Sequence, residues 1–118
     1  MINNRKSIRY TILLLLLIIQ QFAYAVSGEN TQADSLRQII QHNQGAKQIN
    51  AQLELALLYM GEDNEQALQI AQTALNTAKQ RNSKALQMRS LLTLGRVYHD
   101  LNNIDRSQAY YDSALPIA

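Results

Sequence analysis

Few side chains in this sequence have the type and spacing needed for covalent or metal chemistry. The two histidines, His42 and His99, stand far apart, and neither has a second histidine or an acidic pair at a metal-ligand spacing such as H-E-x-x-H. Glu62, Asp63 and Glu65 form an acidic turn. It lacks the D-x-D-x-D-G order of a calcium loop, and acids at a helix start favour the helix dipole. There is no cysteine, which removes disulfides, thiolate metal sites and a thiol nucleophile. Neither a G-x-S-x-G elbow nor a glycine-rich phosphate loop occurs. The sequence therefore predicts no catalytic residue, no cofactor and no metal, and argues against an enzyme.

Recognition is the chemistry that remains. Arg89, Arg96 and His99 lie at offsets of seven and ten, on one face of a helix and beside its apolar stripe. They can be solvated surface residues or a basic face for an acidic partner. Nucleic acid is not the expected partner. The chain carries +2 overall, but Arg5, Lys6 and Arg9 precede Ala25 and all nine acidic groups follow it. Eight basic groups then stand against nine acidic ones, a net of −1, with no clustered basic face.

The elements that position these residues are read from periodicity. A basic start, an apolar run from Ile12 to Ile19 and the small-x-small end Ala23-Tyr24-Ala25 make residues 1–25 a signal peptide, with cleavage expected after Ala25. The rival reading is an uncleaved anchor over 8–26. The run is short against the ~20 apolar residues of a spanning helix. Export to the periplasm or beyond follows, with the membrane met only through this segment.

Residues 26–45 are expected to be a flexible mature terminus, Val26 to Thr31, and a short leading helix with Leu36, Ile39 and Ile40 on one side, closed by Gly45. Residues 46–82 form a first hairpin. Its first helix carries Ile49, Leu53, Ala56 and Met60, widened by Leu55, Leu58 and Tyr59, and stops at Gly61. Asp63 caps its second helix in a box with Gln66, and Ala67, Ile70, Ala71, Ala74, Leu75 and Ala78 share one face. Residues 83–118 form a second hairpin. Its first helix carries Met88, Leu91, Leu94, Gly95, Tyr98 and Leu101. After an Asn103 cap, its second carries Ile104, Ser107, Tyr111, Ala114 and Leu115. No alternating β-branched run occurs, and the predicted fold class is all-α, in antiparallel hairpins with short connections.

The two hairpins align with each other at a period near 40. LELALLYMG (53–61) before EQALQIAQTAL (65–75) matches LLTLGRVYHDL (91–101) before RSQAYYDSAL (106–115). Tyr59 falls on Tyr98, Leu55 on Leu94, Ala56 on Gly95, Ala67 on Ser107, Ala71 on Tyr111 and Ala74 on Ala114. Small residues suit points where helices cross closely, and each tyrosine fills the wider gap beside a crossing.

This pattern resembles the tetratricopeptide repeat family: Leu94-Gly95-x2-Tyr98, then Ser107, Tyr111 and Ala114. The first repeat departs from it at Ala56 and Ala71, and neither has the family's tryptophan, Gln52 and Leu91 standing there. With the lead-in Asp34-Ser35-Leu36, the chain resembles the extracytoplasmic sensor region of bacterial repeat-containing histidine kinases and related regulators. The resemblance implies a short α-solenoid that binds protein without catalysis, as the input part of a two-component signalling protein or a fragment of one. It also implies a concave groove on the first helix of each hairpin, lined by Asn50, Leu53, Leu57 and Met60 and by Arg89, Leu92, Arg96 and His99. Such a groove suits an acidic peptide.

Stacks of this kind need about three repeats and a cap. Pro116 is expected to end or kink the last helix, leaving Tyr110, Tyr111 and Leu115 open. Either further domains follow in a longer protein, or the open face forms a homodimer or docks as a structural subunit or adaptor of an envelope assembly.

Overall fold

The chain was analysed as a computed structural model, which describes residues 3–29 and 31–117. All regular structure among them is helical: α1 (Asn3–Glu29), α2 (Thr31–His42), α3 (Ala46–Tyr59), α4 (Asn64–Gln80), α5 (Lys84–Asp100) and α6 (Ile104–Ala114), with a closing 3₁₀ turn at Leu115–Ile117. The chain divides into two compact units, the first through Gln32 and the second from Ala33.

In the first unit, the side chains from Ile8 to Ile19 are exposed along α1. No helix among the described residues is long and apolar enough to cross a membrane. The helix continues through Ala25 to Glu29, where a flexible terminus was expected. Gln20, Gln21, Ala23, Ala25 and Glu29 include strong helix formers, and one Gly28 costs only about 1 kcal/mol against alanine. The side chains of the expected cleavage site, Ala23-Tyr24-Ala25, and all of Asn30 and Ala118 lie outside the described residues.

In the second unit, α3 packs on α4, α4 on α5 and α5 on α6, and α3 also touches α5 directly. Leu36 of α2 is buried with Ala51 and Leu55 of α3, with Ile39, Ile40 and Ile70 of α4 at its edge. The main core is built from Ile49, Leu53, Ala56, Ala71, Ala74, Leu75, Leu91 and Leu94, among others. Both α3 and α5 are covered on two sides, and that sets which of their residues reach solvent.

The ends of these helices follow from short polar side chains. Asp63, Ser83 and Asn103 each accept the backbone N–H three residues on, from Gln66, Leu86 and Arg106. The expected capping box is half made, because the Asp63 N–H goes to the Tyr59 carbonyl (2.8 Å). Asn82 (φ 55°) and Asn102 (φ 59°) take the left-handed conformation after α4 and α5. In both turns the next N–H reaches back five residues, Ser83 to Ala78 and Asn103 to Tyr98.

Gly45 does not end α2. It is the N-cap of α3, at φ 77°, and a Cβ there would lie 2.9 Å from the Arg81 guanidinium. The carbonyls at the end of α2 are taken instead by Asn43, donating to Ile39 (2.9 Å), and Gln48, donating to Ile40 (3.0 Å). Pro116 lacks the N–H that would continue α6, and the helix gives way to 3₁₀ geometry after Ala114.

Four residues placed on apolar stripes lie at the surface: Leu58, Leu101, Ile104 and Leu115, the last 71% exposed. Leu58 falls beyond the two covered faces of α3. The other three sit at the ends of α5 and α6.

Candidate functional site

The contact between α3 and α5 brings the predicted groove residues of the two hairpins onto neighbouring helices. Arg89 Nη1 donates a hydrogen bond to Asn50 Oδ1, tying α5 to α3 across the two repeats. One turn along α5, Leu92 is 40% exposed, and Arg96 and His99 are exposed beyond it. Leu57 and Met60 of the first repeat are partly buried. The side chains of Arg96 and His99 make no hydrogen bond or ion pair among the described residues. Asp100, next to His99, is engaged elsewhere, accepting from Asn64 Nδ2 at 3.0 Å. Two cationic or polar heads beside an apolar side chain are therefore available to a partner, while Arg89 is already occupied.

Leu53 does not belong to this face. It is 2% exposed and sits in the main core. The stripe Ile49-Leu53-Ala56 of α3 points at the following helices, so the contact that forms the face covers Leu53.

Most of the residues assigned to packing are buried. Ser107 Oγ donates to the Gly95 carbonyl across the α5/α6 contact at 2.8 Å, with both residues buried. A Cβ on Gly95 would lie 2.5 Å from the Tyr111 ring, so this glycine makes room for that ring. Their counterparts in the first hairpin, Ala56, Ala67 and Ala71, are fully buried, as is Ala74. Leu55, Leu94 and Ala114 are buried too.

Tyr59 and Tyr98 are partly buried, and their hydroxyls meet guanidinium groups. Arg37 of α2 donates to Tyr59 and Arg106 of α6 to Tyr98 (3.2 Å), each cation also lying near the ring face, at 5.7 and 5.5 Å from the centroid. Tyr110 stacks on Tyr98 with centroids 5.4 Å apart. Tyr110 and Tyr111 are thus engaged within the chain, and of the expected open face Leu115 alone is largely exposed.

Sequence reasoning missed the second buried face of α5, Leu86, Ser90, Thr93 and Val97. The spacings of four, three and four were there to read, but two members are hydroxyl residues. Ser90 Oγ donates to Leu86 O (2.7 Å) and Thr93 Oγ1 to Arg89 O (2.9 Å), so neither hydroxyl is buried without a partner. It also missed a cavity between α2, α3 and α4.

No family model, no curated protein and no solved structure matches this chain.

Proposed function

We propose that this chain is a non-catalytic protein-binding module of the tetratricopeptide type, exported, and that it serves as the input part of a bacterial two-component signalling protein or a piece of one. The observation that carries this reading is the α3/α5 contact. It sets the first helices of two aligned hairpins side by side and leaves Leu92, Arg96 and His99 exposed on the second of them. Support for the repeat type comes from the Ser107–Gly95 bond and the paired alanines, which fall at the positions the internal alignment assigns to helix crossings. Support for export is the leader's basic start and its run of exposed apolar side chains, a surface suited to a translocation apparatus or a lipid environment.

The mechanism is docking. A face fixed by the Asn50–Arg89 tie presents its contacts preformed, which lowers the ordering cost of binding. Arg96 and His99 select acidic side chains, and Leu57, Met60 and Leu92 take apolar ones. Arg96→Glu is expected to weaken a labelled peptide of alternating Glu and Leu by about tenfold, a 1.4 kcal/mol change, while circular dichroism stays constant. Fluorescence anisotropy at low and high salt checks it. Binding that ignores both the substitution and the salt rules out this face.

A second reading, a structural subunit or adaptor of an envelope assembly, rests on the apolar edge of Leu101, Ile104 and Leu115. Cross-linking from position 115 in whole cells tests it, and a single stable partner is the expected result.

A further inference from the structure

A cavity of about 630 Å³ lies between α2, α3 and α4, apart from the α3/α5 face. That volume falls within the range of sites that hold small ligands or side chains. Ile40, Leu55 and Ile70 supply its apolar walls, one from each helix, and Gln41, Gln52 and Gln69 supply three carboxamides, again one from each. Thr73 and Arg37 complete the lining, and no carboxylate belongs to it.

Two of these polar groups are spoken for. Arg37 bonds Asp34 (2.9 Å) and the Tyr59 hydroxyl, and Thr73 Oγ1 donates to Gln69 O (2.9 Å). Gln52 is different. Its Oε1 is buried and has no hydrogen-bond partner. A buried carbonyl in that state is unfavourable, and in native proteins it usually points to a missing partner. Gln52 is itself one of the lining residues, so this carboxamide stands at the cavity wall.

We propose that this cavity is a second peptide site, one that takes a neutral segment presenting an amide next to an aliphatic side chain. An amide is the group that answers another amide in both directions. Its N–H donates to Gln52 Oε1 and its carbonyl accepts from a glutamine NH₂, while the neighbouring aliphatic side chain fills the space between Ile40, Leu55 and Ile70. A carboxylate offers no donor to Gln52, and a bare hydrocarbon leaves that carbonyl unpaired. The proposal shares the class of partner with the protein-binding reading above but uses none of its residues.

The test uses the full chain in detergent micelles with uniform ¹⁵N labelling, so that the side-chain NH₂ groups of Gln41, Gln52 and Gln69 are read directly. The probe is the blocked dipeptide N-acetyl-leucyl-glutamine amide. Saturable shifts at those groups and at the Thr73 amide are expected, unchanged in Arg96→Glu and weakened about tenfold in Gln52→Leu. The Gln52→Leu variant removes a buried unpaired carbonyl and is expected to fold at least as well, so lost binding there reports the site. The absence of saturable shifts up to about 10 mM overturns the proposal, as does stronger binding of decanoate than of the dipeptide. Loss of the dipeptide shifts in Arg96→Glu also overturns it, because binding then belongs to the α3/α5 face.

Discussion

The hairpins α3–α4 and α5–α6 solve the same crossing problem with different atoms. In the first, three alanines, Ala56, Ala67 and Ala71, close the gap by having little to exclude, and all three are free of solvent. In the second, the aligned positions are Gly95, Ser107 and Tyr111. Gly95 gives up its methyl, and the Tyr111 ring occupies that space. Ser107 adds a buried hydrogen bond that an alanine cannot make. The volume at the crossing is thus shared differently between partners: small with small in one hairpin, none with large in the other. What the repeat preserves is the fit of the pair, which a position-by-position alignment shows only in part.

Exchanging the two solutions gives the largest expected effect. Gly95→Ala improves helix propensity by about 1 kcal/mol but drives a methyl into the Tyr111 ring. Overpacking of this sort costs about 1–3 kcal/mol, so the single variant is expected to lose up to about 2 kcal/mol net. In a Tyr111→Ala background the clash is gone, and the same substitution is expected to be neutral or stabilising. A double-mutant cycle by urea denaturation measures the coupling. Equal effects of Gly95→Ala in both backgrounds would show that the ring does not depend on the missing methyl.

A smaller effect tests the hydrogen bond. Ser107→Ala makes the second crossing chemically like Ala67 in the first. The 2.8 Å bond to the Gly95 carbonyl is lost, but that carbonyl can still serve the helix ladder, so the expected cost is about 1 kcal/mol. For a unit of this size that is a fall of about 4–8 °C in Tm, which calorimetry resolves. The reverse change, Ala67→Ser, is expected to destabilise by more, because the hydroxyl enters a site fully closed to solvent.

The helices were legible because local signals set their ends. Asp63 and Asn103 were readable as caps, Gly61 as a stop, and Pro116 as the point where the last helix fails. What lay beyond reading depended on three-dimensional neighbours. Leu53 was assigned to the groove by the resemblance, whereas periodicity had already put it on the apolar stripe of α3, where it is buried. Ser90 and Thr93 read as polar, yet each satisfies its hydroxyl on its own helix and enters the core. Tyr110 and Tyr111 read as an open surface, because nothing local says that Tyr98 receives one ring and the missing methyl of Gly95 the other. Of the residues assigned to the candidate face, Asn50 and Arg89 are hydrogen-bonded to each other. The cavity between α2, α3 and α4 was not foreseen, because its lining is spread over three helices.

The turns inside the two hairpins supply the last test. Gly61 (φ 90°) leaves α3, whereas Asn102 (φ 59°) leaves α5. An added Cβ at Gly61 meets nothing within 4 Å, so any cost of a side chain there is backbone strain alone. Asn102 lies near the centre of the left-handed well that asparagine tolerates, while φ 90° at Gly61 lies outside it. Gly61→Asn is therefore expected to lose about 1 kcal/mol. Asn102→Gly relieves little strain and frees the unfolded chain, so the change is expected to stay within about 0.5 kcal/mol of zero. Asn82, with nearly the same φ in the turn between hairpins, should respond like Asn102. A large gain in Tm for Asn102→Gly with none for Asn82→Gly would mean that the two turns, alike in backbone, differ in strain, and the equivalence drawn between them would fail.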